Sequence, residues 1–234
     1  MELCILIPAK NEEDSIVDTI SNIWEKLNGK IQFNILVIND YSEDSTLKKL
    51  EELSKKYLNL NFINNNFNCG VGNAIRFGLT KWKGNYISIC MADSSDSPND
   101  ILESYNKIIT GNYDCIFGSR FIKGGIVQGY PIQKLILNRV FNLIVKLISR
   151  KNYNDFTNIF KMYSRNALIL IGPIESTGFS IGLEMSLKAF SKNLKIGIIP
   201  ISWVQRTAGI SKLKVFKNIR VYVSTLIKCL KYEK

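Results

Sequence analysis

The sequence predicts an α/β fold in which helices cover a mixed, mainly parallel sheet. Two observations carry this. Short apolar runs alternate with amphipathic segments from the first residues to about 120, the pattern of repeated strand–helix units. The runs also stop abruptly in polar residues, at Lys10-Asn11-Glu12, Asn39-Asp40, Asp93 and Ser119-Arg120. Ligands of parallel sheets bind beyond the carboxyl ends of the strands, so these four ends are expected to share one rim.

Taken in order, residues 3–7 form a continuous apolar run closed by Pro8, read as a strand buried on both faces. Residues 12–27 carry Ile16, Ile20, Ile23, Trp24 and Leu27 at helical spacing. A second strand is expected over 33–38, an amphipathic helix over 45–57 and a third strand over 60–64. The loop Asn68-Cys69-Gly70-Val71-Gly72-Asn73 is glycine-rich and leads into a helix through Leu79. Strands over 85–91 and 114–118 follow.

The fourth strand runs into Asp93-Ser94-Ser95-Asp96-Ser97-Pro98. Two carboxylates at a strand end are costly unless they meet a cation or solvent, and a divalent metal holding a diphosphate answers that cost. The alternative is a turn and helix cap, roles that suit Ser, Asp and Pro equally.

Beyond about 130 the character changes. Residues 132–149 are strongly apolar with Lys134, Arg139, Lys146 and Arg150 interspersed, and 213–232 repeat the pattern with Lys214, Lys217, Arg220, Lys228 and Lys231. Basic amphipathic helices lie in membrane interfaces, although core-facing helices share the periodicity. The net charge of +11 calls for an anionic partner. No nucleic-acid motif or aromatic stacking platform is present, so nucleic acid is not expected.

The chain of 234 residues has no histidine, which removes the commonest general base and metal ligand. Its five cysteines form no CxxC pair and read as thiols in a reducing compartment. The sequence opens directly into a strand pattern, with no signal peptide, and no run reaches the length of a membrane span. The expected location is cytoplasmic, peripherally associated with the cytoplasmic face of a membrane.

Several segments together resemble family 2 glycosyltransferases of the GT-A fold, nearest the dolichol- or polyprenyl-phosphate mannose synthase branch. Pro8-Ala9-Lys10-Asn11-Glu12 resembles the family's P-x-x-N-E strand end. Residues 37–46 resemble V-V-D-D-G-S-x-D-x-T, with Asn39 in place of the first acid. Asn68-x-Gly70-x-Gly72-Asn73-Ala74-x-Arg76-x-Gly78 resembles the glycine-rich segment. Met91-Ala92-Asp93 stands where the family carries D-x-D, with Met91 replacing the first acid. Gly118-Ser119-Arg120-Phe121 matches G-S-R-[FY], and Asn138-Arg139-Val140-Phe141-Asn142 resembles S-R-x-x-N. Residues 155–163 resemble D-x-T-s-G-F-r-x-Y with Ile159 for Gly, and Gly178-Phe179-x-x-Gly182-x-Glu184 resembles the segment bearing a late acid. Residues 200–212 resemble P-i-x-f-x-x-R-x-x-G-x-S-K, with Gln205 for a frequent acid.

The resemblance implies one GT-A (Rossmann-like) domain over 1–234. Its 1–120 half holds the nucleotide sugar, 121–212 hold the acceptor, and 213–234 form a basic tail helix among C-terminal interface helices. It implies inverting transfer from GDP-mannose or a UDP-hexose to a polyprenyl or dolichyl phosphate. Pro8, Asn11, Glu12, Asp40, Gly72, Ala92 and Asp93 would bind the donor. Asp93 and Asp96 would hold Mg²⁺ or Mn²⁺. Asp93, Arg206 and Lys212, with Ser211 beside them, would stabilise the departing diphosphate. Ser119, Arg120 and Arg139 would meet the acceptor phosphate, for which an arginine fork is suited. It leaves room for a membrane-embedded partner protein.

Two rivals stay open at this point. Transfer to a saccharide hydroxyl in lipopolysaccharide or capsule assembly requires a base, for which Asp155 and Glu184 are the candidates. A non-catalytic nucleotide-sugar-binding module is the other.

Overall fold

The computed structural model describes residues 2–205 and 215–231. Seven strands form one sheet: β1 (Leu3–Ala9), β2 (Phe33–Asn39), β3 (Leu60–Asn64), β4 (Tyr86–Ile89), β5 (Cys115–Ser119), β7 (Lys161–Ser164) and β8 (Ile196–Pro200). Their order is β3-β2-β1-β4-β7-β5-β8. All neighbours are parallel except β7, which runs antiparallel between β4 and β5. A short parallel pair, β6 (Ile126–Gln128) with β9 (Ser202–Val204), stands beside it.

The strands alternate their side chains between two cores, as period-2 geometry requires. Leu3, Ile5 and Ile7 of β1 pack in one core with the stripe Ile16, Ile20, Ile23 and Leu27 of α1 (Ile16–Leu27). Cys4 and Leu6 point the other way, onto Ala74, Ile75 and Phe77 of α3 (Val71–Leu79). Helices α2 (Thr46–Lys56) and α4 (Pro98–Thr110) join α1 on its side. The remaining helices are α5 (Ile132–Ser149), α6 (Arg165–Ile171), α7 (Ile181–Ser191) and α8 (Val215–Lys231).

The elements expected from periodicity are present, with trimmed ends. Helix α1 starts at Ile16 rather than residue 12 because 12–15 are held as a turn. There the Glu12 N–H donates to Thr46 Oγ1 at 2.9 Å and the Glu13 N–H to Asp44 Oδ2 at 3.1 Å. Strand β7 was not foreseen. It starts with Lys161, 1% exposed, whose amine donates to the carbonyls of Phe156, Asn158 and Gly182.

Candidate active site

A cleft of about 460 Å³ opens at the carboxyl ends of the parallel strands. Its walls come from the end of β1 (Pro8, Ala9, Lys10, Glu12), the end of β2 (Asp40), the glycine-rich loop (Cys69, Gly70) and the loop after β4 (Met91, Asp93, Ser95, Asp96). Arg120 after β5 joins them, and the far side is built by Tyr130, Pro131, Lys134, Asn138, Trp203 and Tyr222. The four strand ends therefore do meet on one rim, and among the described residues all four carboxylates of the cleft lie on the β1, β2 and β4 side.

Asp40 is 3% exposed and organises the loop above it. One carboxylate oxygen accepts the Gly70 N–H at 2.9 Å, and the other accepts Asn65 Nδ2 at 2.7 Å. Nearby, Lys10 Nζ lies 2.9 Å from Cys69 Sγ. That contact, with the charges of Asp40 and Glu43, holds the lysine above its ordinary pKa.

The loop after β4 is both a turn and a site. Ser97 caps α4 by accepting the Asn99 N–H at 3.2 Å, with Pro98 in the first turn. Asp93 Oδ1 accepts from Ser95 Oγ at 2.5 Å and from the Ser95 N–H at 3.2 Å. Asp96 accepts the Met91 N–H at 2.9 Å. Part of Asp96 reaches solvent, yet its carboxyl is enclosed by protein atoms. Desolvation, with the Asp93 charge adding to it, pushes its pKa up to about 7. Val204 ties β9 to this loop by donating to the Ser95 carbonyl at 3.2 Å.

The donor set fits a hard divalent cation. Two neighbouring carboxylates repel one another, and an ion between them would remove that cost. Mg²⁺ and Mn²⁺ favour oxygen and need few protein ligands when a diphosphate supplies the rest. Among the described residues no group of three or more His, Cys, Asp or Glu converges, so any ion here would share its shell with the ligand.

Other expected donor residues stand behind the cleft wall instead. Asn11 joins β1 to the loop after β2: its N–H donates to Ser42 Oγ at 3.0 Å, and its side chain accepts the Glu43 N–H at 2.8 Å. The Ala92 carbonyl accepts Ser15 Oγ and Thr19 Oγ1 at 2.9 and 3.0 Å. Gly72 packs against backbone: a Cβ there would lie 2.5 Å from the Ser176 carbonyl oxygen and from Thr177 C. Its missing side chain serves helix docking, whereas Gly70 lines the cleft. Arg76 also misses the cleft; it borders a separate hollow beside Trp82 and Arg165.

The acceptor-side expectations divide. Arg120 lines the cleft, but its Nε and Nη2 donate to Asp155 at 2.8 and 2.6 Å. Arg139 donates to the Asn154 carbonyl at 3.0 Å and lies 4.2 Å over the Phe121 ring; it does not border the cleft. Ser119 Oγ donates to Asn154 Oδ1 at 2.6 Å, also away from it.

Neither candidate base opens on the cleft. Asp155 is 0% exposed and clamped by Arg120. Glu184 accepts the N–H groups of Glu175 and Ser176 at 2.9 and 2.7 Å and pairs with Lys188 at 2.9 Å. Burial works to raise its pKa, but the bonds from Lys188, Ser176 and Glu175 prevail and hold it below the ordinary value. Arg206, Ser211 and Lys212 lie outside the described residues; Gln205, just before them, lines the cleft. Lys134, Tyr130 and Trp203 border the cleft without having been expected there. For Lys134 the sequence signal was the mixed basic and apolar pattern of 132–149, for Trp203 its place in the 200–212 segment, and for Tyr130 there was none.

The family model described as Glycosyl transferase family 2 matches residues 4–172. A dolichol-phosphate mannosyltransferase of Pyrococcus furiosus is 26% identical over 234 residues, covering 100% of this chain and 65% of that protein. A polyprenol monophosphomannose synthase of Mycolicibacterium smegmatis is 25% identical over 223 residues, covering 92% of this chain and 82% of its own length. The chain thus spans less than two thirds of the first of these relatives. Among solved structures, glucosyl-3-phosphoglycerate synthase of Mycobacterium tuberculosis, in complex with Mn²⁺, uridine diphosphate and glucosyl-3-phosphoglycerate, superposes with a TM-score of 0.75. It is 15% identical, with 97% of this chain and 79% of that one covered. The same enzyme with Mn²⁺ and UDP-glucose also gives 0.75 at 15% identity, over 97% of this chain and 78% of that one.

Proposed function

The chain belongs to glycosyl transferase family 2 and has the GT-A fold, and from that premise we propose that it moves a sugar from a nucleoside-diphosphate sugar to a polyprenyl phosphate at a membrane surface. The single observation that carries the choice of acceptor is the character of the cleft's far side. Among the described residues it offers a lysine and aromatic rings but no carboxylate. A sugar hydroxyl needs a base to take its proton, and Asp155 and Glu184 are both engaged elsewhere. A phosphate acceptor is already an anion and attacks the anomeric carbon without one.

In this reading the β1, β2 and glycine-loop ends hold the donor. Asp93 and Asp96 would hold a divalent ion, Mg²⁺ or Mn²⁺, which when bound screens the charge growing on the leaving diphosphate. Arg206 and Lys212 are assigned to the same charge by resemblance. The relatives named for dolichol-phosphate and polyprenol-phosphate chemistry support the acceptor class. The test is incubation of purified protein with a panel of nucleotide sugars and a polyprenyl phosphate in detergent, with and without Mn²⁺. Labelled sugar is expected in the lipid extract. Transfer only to saccharide hydroxyls, or donor binding with no transfer at all, overturns the reading.

The outer face of α5 supports the membrane part. Ile132, Ile136, Val140, Leu143 and Leu147 are each more than half exposed and form one stripe at helical spacing. Ile219, Val223 and Ile227 of α8 add exposed apolar surface, and the same two helices carry Lys146, Arg150 and Arg220. No helix among the described residues is long and apolar enough to cross a membrane, so contact would be interfacial. Each basic group near an anionic leaflet adds about 1 kcal/mol. We expect co-sedimentation with vesicles containing phosphatidylglycerol, weakened by salt. Substituting Leu143→Glu and Leu147→Glu together should weaken it by at least about tenfold. Equal binding by that double variant would remove α5 from the interface.

A further inference from the structure

We propose that Lys161 is a positioning residue for the acceptor: from behind the cleft it fixes the segment 157–159, which forms part of the cleft wall. This rests on the functional reading above and names a buried group on which the shape of that site depends.

Strand β7 runs antiparallel to its neighbours, so its first residue stands at their carboxyl ends. Lys161 is level with Ile89, the last residue of β4, and with Phe117 of β5. The chain reaches it by crossing the rim, and Thr157, Asn158 and Ile159 line the cleft on the way. Lys161 is 1% exposed and does not border the cleft. Its amine lies 5.4 Å over the Phe117 ring and 5.8 Å over the Tyr153 ring. It donates to the Phe156 carbonyl at 3.3 Å, to the Gly182 carbonyl at 3.4 Å and to that of Asn158. Two of these carbonyls bracket Thr157. An apolar side chain could fill the same space with no charge to desolvate. What the ammonium adds is three donors, spent mainly on backbone that lies outside any strand.

That backbone joins the parts of the acceptor side. The Thr157 N–H donates to Asn142 Oδ1 at 3.3 Å, and its hydroxyl oxygen accepts Nδ2 of Asn138 and Asn142 of α5 at 2.9 and 3.1 Å. Asn138 lines the cleft. Asp155, two residues before Thr157, holds Arg120, which also lines it. Ser186 Oγ donates to the Phe156 and Gly182 carbonyls as well, at 3.1 and 2.7 Å. The bond that Ser186 does not duplicate is the one to Asn158, inside the wall.

Burial pulls the Lys161 amine down to about 7; Asp155 works against that fall and Arg120 adds to it. Those two are the charged groups that face it, beside the Tyr153 phenol, while on α7 Glu184 and Lys188 pair with each other. A neutral amine has two donors for three carbonyls, so the wall loosens as pH rises through about 7. A phosphomonoester sheds its second proton near pH 6 (about), so a change above pH 7 belongs to the protein. The unfolded chain keeps the lysine proton up to about 10.5, and this group therefore favours folding increasingly above about pH 7. A weaker acceptor site in that range is thus the opposite of what lost stability gives.

Steady-state transfer to a polyprenyl phosphate in detergent by the full chain, with donor and acceptor varied independently, tests this. Lys161→Met keeps the volume and removes the donors. It should raise the acceptor KM about five- to twentyfold and leave the donor KM within about twofold. Lys161→Arg supplies donors that do not titrate near neutral pH and should hold the acceptor KM within about threefold of the wild type. Between about pH 7 and 9 the acceptor KM should climb in the wild type and stay level in both variants. The wild-type profile needs no variant to fold. An unchanged acceptor KM in Lys161→Met, or donor and acceptor KM raised alike, overturns the proposal, and so does a flat wild-type profile. A wild type that transfers nothing to polyprenyl phosphate overturns the functional reading and this proposal together.

Discussion

Replacing Asp155 with asparagine lowers the melting temperature by roughly 6–20 °C, because removing one partner of a buried ion pair costs about 3–5 kcal/mol and a domain of this size loses about 2–4 °C per kcal/mol. The pair is well enclosed: the Arg120 and Asp155 side chains are 7% and 0% exposed. The carboxylate also accepts the Arg120 N–H at 3.1 Å, so it fixes the backbone where β5 leaves the sheet as well as the guanidinium. An amide of the same shape keeps one acceptor, offers a donor to a donor, and leaves a positive charge buried. The second variant, Arg120→Met with Asp155→Asn, removes that charge and should recover part of the loss. Scanning calorimetry with parallel transfer assays separates this from catalysis. If Asp155 were the proton acceptor for a sugar hydroxyl, the asparagine variant would melt near the wild type while turnover collapsed. That result would move the acceptor from a lipid phosphate to a saccharide.

The parts of the fold legible in the sequence were those whose burial is written locally. Strand β1 is buried at every residue and its run is apolar at every position up to Pro8, so periodicity suffices. Strand β7 is four residues long and begins with a lysine; the carbonyls of Phe156, Asn158 and Gly182, with the Phe117 and Tyr153 rings, make that position tolerable. No local pattern announces such a cage. The site divides along the same line. Its strand ends were readable because polar residues closing apolar runs are a sequence feature. The commitment of Arg120 to a partner 35 residues away is tertiary, as is the packing of Gly72 on the segment 176–178. A glycine that docks a helix and a glycine that bares an N–H to a ligand look alike in a motif. Lys134 was visible as charge on an amphipathic helix, but only the placement of α5 against the cleft gives its first turn an inner face.

Asp93→Asn should lower transfer by about two to three orders of magnitude while the melting temperature stays close to the wild type, since charge stabilisation of the leaving group contributes on this scale. The side chain stands in the cleft wall and accepts from the N–H and Oγ of Ser95 in its own loop. An asparagine keeps a carbonyl oxygen for those bonds and forfeits the negative charge. What is lost is therefore the ability to hold a divalent ion against the donor. Mn²⁺ binding followed by isothermal titration in the presence of uridine or guanosine diphosphate gives a readout independent of turnover, and its affinity should fall at least about tenfold. Asp96→Asn makes the informative contrast. Asp96 accepts the Met91 N–H at 2.9 Å and so shapes the turn that replaces the family's first acid. Its substitution should disturb stability and metal affinity together, whereas Asp93 should affect metal affinity alone. If Asp93→Asn kept both turnover and Mn²⁺ affinity, the cation would have to rest on Asp96 and the donor's own oxygens, and the loop after β4 would be a helix cap that happens to border the cleft.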